Sequence, residues 1–146
     1  MGSSNSTVEH NDCVFWSIIN VNRERIVYEN EQIVIFPSRS PISHSHLLSV
    51  SKRHIVNINA LTVNDLGLLD NMKSSALNYI KSRYPEVNEN NIIFGFHVPP
   101  FNSVLHLHMH CLVPPYRSCM KQFCKVTLIM RSYDKVVREL QEWWLY

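Results

Sequence analysis

Several things are missing from this chain of 146 residues. No apolar run is long enough to cross a bilayer, so no membrane span is read. Residues 1–13 are polar, which excludes a secretory signal there. Charge of one sign is also missing. The formal net charge is +2, too little to announce a nucleic-acid partner, and no stable nucleic-acid binding is expected. The cysteines, Cys13, Cys111, Cys119 and Cys124, follow no disulfide framework. With no signal ahead of them they read as reduced thiols of a cytoplasmic protein, with the nucleus also open to it. No repeat, low-complexity block or linker divides the chain. What is present is 45% hydrophobic and 18% charged, an ordinary composition for one globular domain with its own core.

The first eleven residues read as a flexible tail and residues 12–146 as a single domain. Gly2 stands four residues before Ser6, which fits the myristoylation pattern. No polybasic cluster follows, so one acyl chain there would anchor only weakly.

Beyond the tail, Cys13–Asn20 reads as a short apolar helix. Residues 26–30 and 32–36 are β-branched runs with a hairpin-like break. Residues 46–51 read as a strand. Residues 60–84 are the clearest helix: Leu66, Leu69, Met72, Ala76, Leu77 and Ile80 recur at helical spacing. Thr62 followed by Asp65 is a capping-box variant at its start, and Pro85 ends it. Residues 92–97 form the next strand, residues 99–102 a loop, and residues 103–113 a long strand stopped by Pro114-Pro115. A helix is expected from about Tyr133. The aromatic end, Trp143 to Tyr146, reads as packing for that helix or as a dimer contact. The class is α+β with an antiparallel sheet of about five strands.

The chain has eight histidines, and three of them stand at alternate positions, His106, His108 and His110. In a strand, alternate residues share a face. The three imidazoles therefore form a row, backed by Leu105, Leu107, Met109 and Cys111 on the other face. Three uses compete. Neighbours in the row are about 6.8 Å apart by strand rise, which suits two ligands on one ion but not three. The second use is structural, as satisfied or exposed rings. The third is phosphate chemistry, in which one neutral imidazole attacks phosphorus and its neighbours hold the oxygens. Adjacent rings would depress one another's pKa values and keep the nucleophile neutral.

The stretch His106-Leu107-His108-Met109-His110-Cys111-Leu112-Val113 resembles the signature of the histidine triad (HIT) superfamily. The segment 43–55, with His46 and His54 eight residues apart, is similar to a second family segment. Residues 13–16 are similar to the opening helix, and residues 94–115 resemble the third-type branch of the histidine triad nucleotide-binding (HINT) proteins. The resemblance covers residues 12 to 142. It implies a HIT fold, with a long helix and short N- and C-terminal helices. It also implies a nucleoside phosphoramidate hydrolase of the adenosine 5′-monophosphoramidase type, acting on a purine (AMP-like) nucleotide as a homodimer through the 62–82 helix and a neighbouring strand. His108 matches the nucleophile that becomes nucleotidylated. His110 and His46 match residues lining the α-phosphate. His106 matches the member whose carbonyl orients the nucleophile. Ser103 matches a serine near the leaving amine, and Asn102 is a candidate phosphate contact.

Three positions depart from the family pattern. Ser38 stands where an acidic ribose ligand is usual, and a serine accepts ribose hydroxyls less well. Gly95 stands where the better-known branch has an asparagine. Trp16 replaces the second cysteine of zinc-containing relatives. Cys13 and His54 alone do not complete a structural site, so neither metal nor cofactor is expected. The alternatives are a dinucleoside polyphosphate or adenylated-substrate hydrolase, or a nucleotide-binding scaffold with weak catalysis. An aprataxin-like deadenylase is disfavoured, because no terminal CxxC/His module is seen. Lys52-Arg53 reads either as a phosphate-steering pair or as a solvated loop, and His97 as a loop or sheet-edge residue.

Overall fold

The computed structural model describes residues 13–99, 104–116 and 128–143. Asn102 and Ser103 lie outside them, as do Gly2, Cys119, Cys124 and residues 144–146.

Six strands form one antiparallel sheet: β1 (Tyr28–Glu29), β2 (Ile33–Pro37), β3 (Ser43–Ser51), β4 (Ile93–His97), β5 (His108–Tyr116) and β6 (Met130–Ser132). Their spatial order is β1-β2-β3-β5-β4-β6. The sixth, β6, was not legible, because it is three residues long and pairs only with the outer edge of β4. It approaches closely at Gly95, where an added Cβ would meet the Met130 side chain at 2.5 Å and the Arg131 carbonyl at 3.0 Å.

Period-two alternation divides the sheet into two faces. Ile33, Ile35, Leu47, Phe96, Met109, Cys111 and Val113 face one way and pack with the long helix α2 (Leu66–Arg83) and with Val136 of α3 (Tyr133–Trp143). Leu69, Met72, Ala76 and Ile80 of α2 are fully buried. Each large apolar side chain so buried contributes about 1.5–3 kcal/mol. A 3-10 turn, Val63–Asp65, leads into the helix and carries the capping box. Asn64 N–H donates to the Thr62 hydroxyl, and Thr62 N–H donates to the Asp65 carboxylate at 2.8 Å. At the far end Pro85 disfavours helical geometry for the residue before it, and α2 stops at Arg83.

The other face carries Val34, Phe36, Leu48 and Val50, covered by Phe15, Ile18 and Ile19 of the short helix α1 (Val14–Asn20). α1 covers mainly the β2–β3 part of this face, and its Phe15 reaches the first histidine of β5.

Two expectations are corrected on β5. Its ladder begins at His108, not at residue 103. Val50 pairs with His108 near the end of β3, and Leu107 N–H instead donates to the carbonyl of Ile55 at 2.7 Å. Leu105, expected in the buried layer, is therefore 61% exposed. Nor do Pro114-Pro115 stop the strand, which runs to Tyr116. They fall where two residues of β5 face only His44 of β3, a bulge that tolerates missing N–H donors.

Candidate active site

β3, β4 and β5 bring His46, His97, His108 and His110 to one end of the α1 face. His110 lies opposite Leu48 and His108 opposite Val50, which sets His46 diagonally across from His110. Gly95 pairs with His110, so His97, two residues on, reaches the same cluster. The rings stack in sequence. His108 and His110 centroids are 5.1 Å apart, His46 and His110 5.1 Å, and His97 and His110 4.1 Å. Phe15 of α1 stands edge-on to His108 at 4.9 Å. These rings line a cleft of about 310 Å³ with Ile18, Phe36, Leu48, Ser38 and two arginines.

Hydrogen bonds fix the tautomers. His108 Nδ1 lies 2.6 Å from the His106 carbonyl, which can only accept. The proton is therefore on Nδ1, and the Nε2 lone pair is left for the cleft. A second chain runs through His46. Its Nδ1 accepts from Ile42 N–H at 3.4 Å, so its Nε2–H donates to His110 Nδ1 at 2.8 Å. That puts the His110 proton on Nε2, a buried atom with no hydrogen-bond partner among the described residues; His97 Nε2 is in the same state. Buried polar atoms of this kind are uncommon and point to a ligand that supplies the missing partner.

All four rings are pushed toward the neutral form. Burial is the largest cause in each; neighbouring histidines add to it for His46, His108 and His110. His46 is lowered to about 4. His110 falls well below its ordinary value, and His108 falls despite the opposing pull of its bond to His106. The direction agrees with the sequence reading, but the principal cause is desolvation rather than like charge.

His106 leaves the row. Its ring is buried, and Nε2–H donates to the Ser51 carbonyl at 2.6 Å. Its Nδ1 faces Cys13 Sγ at 3.5 Å and His54 Nδ1 at 3.2 Å. The three donor atoms lie within 4.8 Å of one another. His106 is thus a third donor that the sequence reading did not count. A closed structural zinc takes four, and Trp16 supplies none, so among the described residues the set is one ligand short. Only the carbonyl of His106 serves His108.

Ser38 lines the cleft. Its N–H donates to the His46 carbonyl at 2.8 Å, and its hydroxyl accepts from Ser40 N–H at 3.2 Å. Lys52 and Arg53 are committed elsewhere, to Glu29 and to Asp65, so they are not a free phosphate-steering pair. His97 was missed as a site residue. It shares the alternation of Ile93 and Gly95, but only the pairing of β4 with β5 shows that this face meets His110. Chemically, the cleft offers one lone pair for attack on phosphorus and N–H donors beside it for the phosphoryl oxygens.

A family described as "Scavenger mRNA decapping enzyme C-term binding" matches residues 12–125. The chain is 35% identical to the bifunctional adenosine 5′-phosphosulfate phosphorylase/adenylylsulfatase HINT4 of Arabidopsis thaliana, over 71% of each chain. It is 30% identical to the adenosine 5′-monophosphoramidase HINT3 of Mus musculus, over 77% of this chain and 70% of that one. Among solved structures, a HIT family hydrolase from Clostridium thermocellum superposes with a TM-score of 0.61 at 25% identity, over 70% of this chain and 90% of the other.

Proposed function

Because the chain belongs to the histidine triad superfamily, in its HINT branch, we propose that it is a hydrolase of adenosine 5′-phosphoramidates, working through a nucleotidyl-histidine. The observation that carries this is the 2.6 Å bond from His108 Nδ1 to the His106 carbonyl, which leaves the Nε2 lone pair in the cleft beside the His110 Nε2–H donor.

In the first step His108 Nε2 attacks the α-phosphorus. A new P–N bond forms, the bond to the leaving amine breaks, and the amine departs with a proton. Ser103 is the candidate to handle that proton, with Asn102 against the phosphate. The imidazole becomes cationic, and its Nδ1–H bond to the His106 carbonyl steadies the charge. His110 Nε2–H donates to a phosphoryl oxygen, held in its tautomer by His46, and His97 borders the same oxygens. Water then attacks the phosphorus, the P–N bond to His108 breaks, and the nucleoside monophosphate leaves. Two displacements replace one difficult step, with a side chain rather than a metal hydroxide as nucleophile.

Phe15, Ile18, Phe36 and Leu48 are suited to the purine. A homodimer through the 62–82 helix belongs to the same reading. Since β6 occupies the outer edge of β4, the strand available on that side is β6. A second substrate, the mixed phosphoric–sulfuric anhydride adenosine 5′-phosphosulfate, is suggested by the name of the Arabidopsis relative.

The test is turnover of adenosine 5′-phosphoramidate with an α-phosphate label. Wild type should release AMP and carry acid-labile label under quench. His108→Ala should do neither. A His108→Ala protein that still turns over at the wild-type rate would refute the assignment, and a panel with the phosphosulfate separates the two substrates.

A further inference from the structure

The mouth of the histidine cleft carries positive charge that the displacement at phosphorus does not use. Arg25, from the one-turn helix after α1, and Arg39, from the loop between β2 and β3, line it together with Ser38 and Ser40. No aspartate or glutamate is among the described lining residues. Arg23, Arg53 and Arg131 each hold a carboxylate, whereas neither Arg25 nor Arg39 is in an ion pair among the described residues. Arg25 is half-buried and fixed. Its Nη2 donates to the Pro37 carbonyl at 2.6 Å, and its guanidinium carbon lies 5.3 Å from the centre of the Phe36 ring. Arg39 is close enough for its charge to oppose that of Arg25. Two like charges therefore face one opening with no carboxylate between them among the described residues.

Their place relative to the chemistry follows from the strand order. β2 is the second strand from β5, about 9–10 Å away by strand spacing. Phe36 of β2 forms part of the apolar wall, and Ser38 follows it, hydrogen-bonded to the backbone of His46. A nucleotide with its 5′-phosphorus at His108 and its base on that wall would have its sugar at this mouth. Guanidinium groups only donate. The Ser38 hydroxyl already accepts from Ser40 N–H. Among the described residues, the mouth thus offers no carboxylate to two ribose hydroxyls and is rich in donors suited to an anion.

We propose that the cleft selects nucleotides whose ribose carries a second phosphate, on the 2′ or 3′ oxygen, received by Arg25 and Arg39. This rests on the reading of the cleft as a nucleotide site.

Calorimetry on the full chain with AMP, adenosine 2′,5′-bisphosphate and adenosine 3′,5′-bisphosphate tests it. One bisphosphate should bind at least tenfold more tightly than AMP, and the one that gains identifies the oxygen. The advantage should shrink with added salt and fall several-fold in Arg39→Gln, whose exposed side chain makes the substitution structurally mild. Arg25→Gln should act the same way, with its melting temperature followed because Arg25 also braces Phe36 and Pro37. Ser38→Asp should reverse the preference toward AMP. Two bisphosphates that bind no better than AMP overturn the proposal, as does an advantage that survives intact in Arg39→Gln. Failure to hydrolyse the phosphoramidate, with the bisphosphate preference intact, would sink the reaction and leave this inference standing. Normal hydrolysis with no preference would do the opposite.

Discussion

The ring of His46 takes up its proton only at about pH 4, held down first by burial and then by His97 and His108. In the unfolded chain it does so near pH 6.5. Between those values the unfolded state binds more protons, so stability rises with pH across the window. The contribution is complete above about 6.5, is lost below about 4, and amounts to on the order of 3 kcal/mol. Urea denaturation from pH 4 to 7 should show that slope in wild type and a shallower one in His46→Gln. The same physics sets the rate profile. His108 must be neutral to attack, and its pKa is lowered by burial against the lift of its bond to His106. The acid limb of kcat/KM should therefore fall below pH 6.5, and a limb at or above that value would contradict a buried nucleophile. His97→Ala should lower kcat/KM by about 10- to 100-fold, the size of one hydrogen bond to a charged oxygen. Unchanged kinetics would return His97 to a bystander at the strand end.

At the level of elements, the cap on the 3-10 turn that leads into α2 is a local device whose loss should stay local. Thr62→Ala removes the acceptor for Asn64 N–H and should cost about 1 kcal/mol in chemical denaturation. The kcat/KM should not change, because α2 packs on the face opposite the histidines. A large drop in activity at unchanged fold would mean that the two faces are coupled. The bulge opposite His44 shows why the two prolines misled. Proline excludes a regular ladder partner, yet β5 needs none where two of its residues face one of β3. The break at His106 has a similar origin. The alternating pattern suits a strand, but the partner backbone there has already turned into the loop that contains Ile55, so the ring swings to Ser51 and Cys13.

Across the whole molecule, the sheet separates a structural face from a reactive one, and His106 joins the two ends of the N-terminal half through Cys13, Ser51 and His54. Among the described residues, three donors converge there without a fourth. Dialysis against EDTA should leave both the melting temperature and the phosphoramidate hydrolysis rate unchanged. Stoichiometric zinc by elemental analysis, with a melting temperature that drops on its removal, would show that a fourth ligand is recruited from outside this set.

The sequence by itself determined whatever depends on neighbours along the chain. Period-two and period-3.6 patterns assigned most strands and the long helix to their faces, and Thr62, Asp65 and Pro85 marked where that helix begins and ends. The alternation of His108 and His110 put them on one face, opposite Met109 and Cys111. Tertiary structure decided what depends on register and burial. Gly95 meeting His110 brought in His97, and Ser38 meeting the backbone of His46 placed two arginines at the mouth. The exclusion of water, more than mutual repulsion, holds the rings neutral. The physical reason is that the side-chain period is a property of one strand, whereas pairing register and desolvation belong to segments far apart in the chain.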